Sequence, residues 1–123
     1  MILADTSVWV DHLRRGNARF PELLRARAIV CHPFVIGELA LGYLNPRESI
    51  LEDLQDLPRC VIASDDEVLH LIGRHGLHGR GIGYVDAHLL AAVRITAGSA
   101  LWTFDKRLHS VAVELGSAMK ASE

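Results

Sequence analysis

Only two cysteines occur in the 123 residues, Cys31 and Cys60. They form no CxxC pair and each stands within an apolar run, the setting of buried free thiols rather than of a disulfide framework or a redox couple. Lysine is scarce too: the basic residues are almost all arginine, and the net charge is −2. A general basic surface is therefore absent, and any polyanion has to be met by a local patch. Half of the residues are hydrophobic, yet no apolar run approaches the roughly 18 residues of a membrane span. The N-terminus lacks the basic start of a signal peptide, so a cytoplasmic protein without a membrane anchor is expected. Repeats, low-complexity tracts and linkers are missing as well. Residues 1–123 read as a single domain, long enough to bury roughly two thirds of its unfolded surface.

What is present begins at the first residues. Met1-Ile2-Leu3-Ala4 is a short apolar run that stops at Asp5, the pattern of a buried strand whose end delivers a carboxylate to a sheet rim. Thr6 and Ser7 then open a helix with Val8, Trp9 and Leu13 at helical spacing. Asn17 caps a second helix, Ala28–Cys31 reads as a second strand, and Pro33 opens a helix that is apolar on every side through Leu44. Such a helix is expected to be buried, with Glu38 as its only charge. An isolated ionised carboxylate there costs several kcal/mol unless it is protonated, paired or bound to a cation. Asn45-Pro46 starts a fourth helix. Cys60–Ala63 is a third strand candidate, and Ser64-Asp65-Asp66-Glu67 is a capping box that explains its acids without function.

Four glycines between Gly76 and Gly83 make a loop, and its Gly79-x-Gly81-x-Gly83 spacing follows a helix rather than a strand, which argues against a dinucleotide site. His75 and His78 read as exposed loop residues. Tyr84–Ala97 is a helix with Asp86 on its apolar face and in its first turn, and with His88 expected to point away into solvent. Ala100–Thr103 is a fourth strand, again left at a carboxylate, Asp105, which also suits a helix cap. After Gly116 the chain is small, polar and expected to fray.

Four acids thus stand where apolar residues belong or at the mouth of an apolar strand: Asp5, Glu38, Asp86 and Asp105. Strands alternating with helices imply a parallel sheet covered on both faces, which gathers strand ends from distant parts of the chain at one edge. Four carboxylates there repel unless a hard divalent cation joins them, and Mg²⁺ or Mn²⁺ takes such oxygen ligands. Sites of this kind activate water for in-line displacement at phosphorus. Arginines crowd the region of Arg14, Arg15, Arg19, Arg25 and Arg27, and guanidinium suits bidentate phosphate contact. Arg14, Arg15 and Lys106 are the first candidates for holding a ligand's phosphates.

Ile2-Leu3-Ala4-Asp5-Thr6-Ser7, the Glu38 helix, Gly81-Ile82-Gly83-Tyr84-Val85-Asp86-Ala87-His88-Leu89-Leu90 and Leu101-Trp102-Thr103-Phe104-Asp105-Lys106-Arg107-Leu108 together resemble a PIN-domain ribonuclease of the VapC toxin type. The resemblance implies a three-layer α/β/α fold with a central parallel sheet of four to five short strands. It also implies an Mg²⁺- or Mn²⁺-dependent endoribonuclease, a homodimer, and a cognate VapB-like antitoxin. Carried over by position, Asp5, Glu38, Asp86 and Asp105 match the acidic quartet, with Asp5, Asp86 and Asp105 on the metal, and Thr6 and Thr103 match the hydroxyls beside it.

Other readings fit less well. An aspartyl-phosphate enzyme needs a second Asp two positions after the first, where Ser7 stands. A receiver domain needs an acceptor Asp after a central strand, where Ala63-Ser64 stands. A histidine-based ribonuclease would ignore EDTA and leave a cyclic phosphate. A non-catalytic interaction module on the same fold is the alternative that metal-dependent RNA cleavage discriminates.

Overall fold

The computed structural model describes residues 1–120. The chain runs β1 (Ile2–Ala4), α1 (Thr6–Arg15), α2 (Arg19–Arg25), β2 (Ile29–Val30), α3 (Pro33–Leu41), α4 (Arg47–Asp56), α5 (Asp65–His75), α6 (Tyr84–Ile95), β3 (Ala100–Trp102) and α7 (Lys106–Glu114). β1 is central in a parallel sheet of order β2-β1-β3, with Leu3 opposite Val30 on one side and Leu101 on the other. Leu3, Ala4, Ile29, Val30 and Leu101 are fully buried, as continuous apolar runs in parallel sheets are. The expected α/β architecture with a parallel core is therefore present.

The sheet has three strands among the described residues, rather than four to five. The segment expected to form a strand at Cys60–Ala63 forms none: the parallel bridge to Cys31 is made by Arg59 just before it, and the segment adds only the hydrogen bond from Cys60 N–H to the Cys31 carbonyl. Val61 and Ile62, each 52% exposed, have no sheet surface to cover, and the Val61 N–H goes to the Thr96 hydroxyl instead of to a neighbouring strand. At the opposite edge, residues expected to fray are ordered. Leu101 N–H donates to the Ser117 carbonyl and Met119 N–H to the Leu101 carbonyl, extending the sheet by a bridge to Ala118. The unpaired side of β3 explains this, since an open parallel edge takes up passing backbone. The last residues of that expected frayed tail, 121–123, lie outside the described residues.

Helix starts follow the sequence closely. The Ser64–Glu67 capping box has both reciprocal hydrogen bonds, and α5 ends at Gly76 in the left-handed conformation that glycine favours; Asn17, expected to cap α2, accepts from Arg19 N–H but stands one residue before the N-cap, Ala18. Cys31 and Cys60 are free and buried. Helix α3 departs from expectation. Val35 and Leu39 are buried, but Phe34, Gly37, Glu38 and Leu41 face out. Its inner side packs against α1 and α4, and nothing in one chain covers the other. No helix is long and apolar enough to cross a membrane among the described residues.

Candidate active site

The rim at the C-terminal end of the sheet is built from strand exits and helix starts. Parallel pairing continues one residue past β1, because Asp5 N–H donates to the Trp102 carbonyl at 3.0 Å. Asp5 therefore leaves the sheet level with the exit of β3 and turns directly into α1. It is the N-cap of that helix: Oδ1 accepts from Val8 N–H at 3.1 Å and from the Ser7 hydroxyl at 2.5 Å. Its other oxygen, Oδ2, accepts from the Thr103 hydroxyl. With 5% of its surface exposed, Asp5 is the most buried of the four acids.

Asp105 repeats the arrangement at the exit of β3. Its Oδ1 caps α7 by accepting from Arg107 N–H and Leu108 N–H at 2.9 and 3.0 Å. Thr103 ties the two acids together, since its Oγ1 donates to Asp5 and accepts from Asp105 N–H at 3.0 Å. Ser7 makes a second tie by accepting from Phe104 N–H at 3.0 Å while donating to Asp5. Thr103 was expected beside the quartet. The bridging role of Ser7 was not, although a hydroxyl two residues after the strand-end acid was the available signal.

Asp86 lies in the first turn of α6, where Oδ2 accepts from Gly83 N–H at 3.1 Å. This is half of a capping box, because a glycine at the N-cap has no side chain to return the bond. Partial burial pushes the Asp86 carboxyl above its ordinary range, and the negative charges of Asp5, Asp105 and Glu38 push it the same way. Three acids far from Asp86 in sequence thus reach it in the fold. Glu38 is the exception to its expected setting: it stands on the open face of α3, solvated, with Oε1 accepting the Thr6 hydroxyl at 2.6 Å. Exposure and this bond resolve what would have been the cost of an isolated buried carboxylate.

Asp86 Oδ1, Asp105 Oδ2 and Glu38 Oε2 have no hydrogen-bond partner among the described residues. The donor set is all oxygen and all anionic, which fits a hard divalent cation better than a soft one. No three acid, histidine or cysteine side chains are arranged as a finished metal cage among the described residues; Asp5, Asp86 and Asp105 lean instead on N–H donors at the starts of α1, α6 and α7, and Glu38 on the Thr6 hydroxyl of α1.

The proposed cationic contacts separate. Arg14 lines a cleft of about 100 Å³ together with Thr6, Glu38, Leu13 and Tyr43, beside the acids. Arg15 turns toward Asp11, with 4.0 Å between Nε and Oδ1. Lys106 is exposed at the first position of α7. Two histidine expectations change. His75 is half-buried, and His88, expected in solvent, is 3% exposed with Nε2 at 3.0 Å from Asp65 Oδ1. Helix α6 is enclosed from Ala87 through Val93, so it has no outer face there for a histidine to occupy. A cavity of about 360 Å³ lies elsewhere, between α5 and α6, and none of the four acids lines it.

A PIN-domain profile matches residues 2–114. Ribonuclease VapC32 of Mycobacterium tuberculosis, from strain CDC 1551 / Oshkosh and from strain ATCC 25618 / H37Rv, is 50% identical to the chain over 119 residues, which are 97% of the chain and 96% of that protein.

Proposed function

Because the chain belongs to the VapC-type PIN-domain proteins, we propose that it is the toxin of a VapBC-type module, an Mg²⁺- or Mn²⁺-dependent endoribonuclease that hydrolyses phosphodiester bonds in RNA. The observation that carries this reading is the gathering of Asp5, Glu38, Asp86 and Asp105 at one rim, with Asp86 raised by its own burial and by the other three acids.

In this reading Asp5, Asp86 and Asp105 hold the metal. When bound, a divalent ion offsets the charge on the scissile phosphate and lowers the pKa of an attacking water. The protein groups divide the remaining tasks. Thr103 and Ser7 fix the Asp5 carboxylate from both sides, so its orientation does not depend on the ligand. Thr103 also sets the backbone at Asp105. Glu38, oriented by Thr6, accepts a proton from the water. Water oxygen attacks phosphorus, the bond from phosphorus to the 3′-oxygen breaks, and the departing oxygen takes a proton from solvent water while Glu38 returns its proton to solvent. Cleavage therefore leaves a 5′-phosphate and a 3′-hydroxyl without help from the substrate 2′-hydroxyl.

Exposed apolar side chains support partners. Leu41 and Tyr43 are each 91% exposed beside the Glu38 cleft, and Phe34, Leu69 and Tyr84 are exposed on α3, α5 and α6. Open apolar surface of this kind marks contact faces. We assign them to a homodimer and to an antitoxin segment that reaches the acids with a basic side chain, in a cytoplasmic complex. The deciding experiment is to sequence RNA ends after brief expression without antitoxin and to repeat cleavage in vitro with EDTA. The reading expects 5′-phosphate ends and loss of activity with EDTA or with Asp86→Asn. Cyclic phosphate ends or EDTA-resistant cleavage would overturn it.

A further inference from the structure

Two arginines flank the loop before α6, and they are used differently. Arg80 is held by Glu114 in a bidentate pair, at 2.9 and 2.8 Å, which staples the loop to α7. Arg107 has no ion pair and no side-chain hydrogen bond among the described residues. It is not loose, however. A Cβ added to Gly81 would sit 2.7 Å from Arg107 Cδ and 2.8 Å from Nη1, so the guanidinium arm lies directly on the bare backbone of that glycine. Gly81 has φ +80, a conformation that also favours glycine. One residue thus makes the turn and leaves the space in which the arm lies.

The placement of the arm relative to the acids follows from both ends of the contact. Arg107 follows Asp105 by two residues and donates its backbone N–H to that carboxylate. Gly81 precedes Gly83, whose N–H donates to Asp86. The arm therefore runs from the start of α7, which Asp105 caps, to the loop before α6, whose last residue bonds Asp86. A guanidinium is a planar fork that matches two oxygens of a phosphate. Seated on backbone, it has little conformational freedom left to lose on binding. In a chain of net charge −2 without a basic surface, such a group is what a polyanion arriving at an acidic rim requires.

We propose that Arg107, seated on Gly81, forms a phosphate-binding subsite that grips the RNA backbone at a phosphodiester adjacent to the one being cut. This rests on the ribonuclease reading above. Arg107 contributes equally to substrate and transition state, so its loss raises KM and spares kcat. Lys106, beside it, has no backbone seat and is not assigned this part.

The test uses the full chain, a randomised single-stranded RNA pool as substrate, and salt-dependent binding of the same pool by fluorescence anisotropy. For Arg107→Ala, KM rises roughly tenfold, as expected for the loss of one charge-assisted contact. The slope of log affinity against log salt falls by about 0.7, as for one single-strand phosphate contact. Arg107→Lys keeps the slope and recovers part of KM. Gly81→Ala, which displaces the arm without removing its charge, raises KM in the wild-type background and not in the Arg107→Ala background. Arg74→Ala, on the far side of α5, changes neither quantity. If Gly81→Ala does not fold, the two Arg107 variants, whose side chain is exposed, carry the test alone. An active wild type matched in KM and salt slope by Arg107→Ala would overturn the subsite. So would a Gly81→Ala effect undiminished in the double variant. A wild type that neither binds nor cleaves the pool would instead overturn the ribonuclease reading.

Discussion

Helix α6 is buried from Ala87 through Val93 and encloses even a histidine, whereas α3, apolar throughout except for Glu38, buries only Val35 and Leu39. Composition ranks these helices in the wrong order. Position explains the difference, because α6 is packed by α5 and by β3, while α3 packs mainly against α1 and α4 and touches α6 at its first turn through Phe34 and His88. The exposed side of α3 carries Glu38 and borders the cleft with Thr6 and Arg14. An apolar helix face open to solvent suits contact, and a helix enclosed by its own chain suits rigidity. In the proposed site the two designs are combined: α6 carries Asp86 on an enclosed helix, and α3 carries Glu38 on an open face.

Truncating each helix separates these roles most strongly. Leu89→Ala on α6 removes a fully buried side chain and should lower unfolding free energy by about 3 kcal/mol, measured by urea denaturation with the m-value held constant. A loss below about 1 kcal/mol would mean that α6 is not the rigid member of the pair.

Where the helices meet, a pH dependence of nearly the same size is expected. His32, the N-cap of α3, is fully buried against Phe34 and near His88 of α6. Burial, then the charges of His88 and Arg59, lower its pKa to about 4. The unfolded histidine titrates near 6.5, so below that pH the unfolded chain binds the proton and the native protein does not. Stability from this group is complete above about pH 6.5 and declines by about 1.4 kcal/mol per pH unit toward pH 4, for a total of about 3 kcal/mol. His32→Asn should flatten that part of the stability–pH curve; a curve unchanged by the substitution would place the dependence on other groups.

A smaller effect with the opposite sign sharpens the contrast at the acids. Asp86→Asn keeps the acceptor for Gly83 N–H while removing a charge that three neighbouring acids disfavour, and should stabilise the metal-free protein by about 1 kcal/mol. Added Mg²⁺ should raise the melting temperature of the wild type by mass action and that of the variant much less. Equal metal responses would show that Asp86 does not bind the ion. Asp5 behaves differently, since it is also a helix cap: Asp5→Ala should cost about 1 kcal/mol whether or not metal is present, and thermal melts of both variants distinguish the two parts.

The smallest effect belongs to the exposed side of α3. Leu41→Ser should change monomer stability by less than about 0.5 kcal/mol, while weakening homodimer or antitoxin association, read by sedimentation. A change of several kcal/mol in stability with no change in association would turn α3 into ordinary core.

Much of the site was legible because the acids break a local rule. A carboxylate at the mouth of an apolar strand, as at Asp5 and Asp105, or in an apolar helix stripe, as at Asp86, stands out from residues whose burial is otherwise favourable. Glu38 stood out for the same reason, although its actual surroundings are solvent. Ser7 and Arg107 broke no rule. A serine in a first helical turn and an arginine near a helix start are ordinary in sequence, and only the approach of Phe104 N–H to one and of Gly81 to the other gives them a role.

The sequence by itself determined the local events: where strands stop, which residues cap helices, which glycines turn the chain, and which acids are out of place. These depend on contacts within a few residues, so spacing and residue type suffice. Tertiary structure alone decided that Cys60–Ala63 finds no strand partner beyond one hydrogen bond at Cys60, that residues 117–119 find one at β3, that His88 is enclosed, and that α3 is open. Each of these depends on what lies across space from a segment. Desolvation and backbone pairing are set by neighbours that can be a hundred residues away, as Asp5 and Thr103 are.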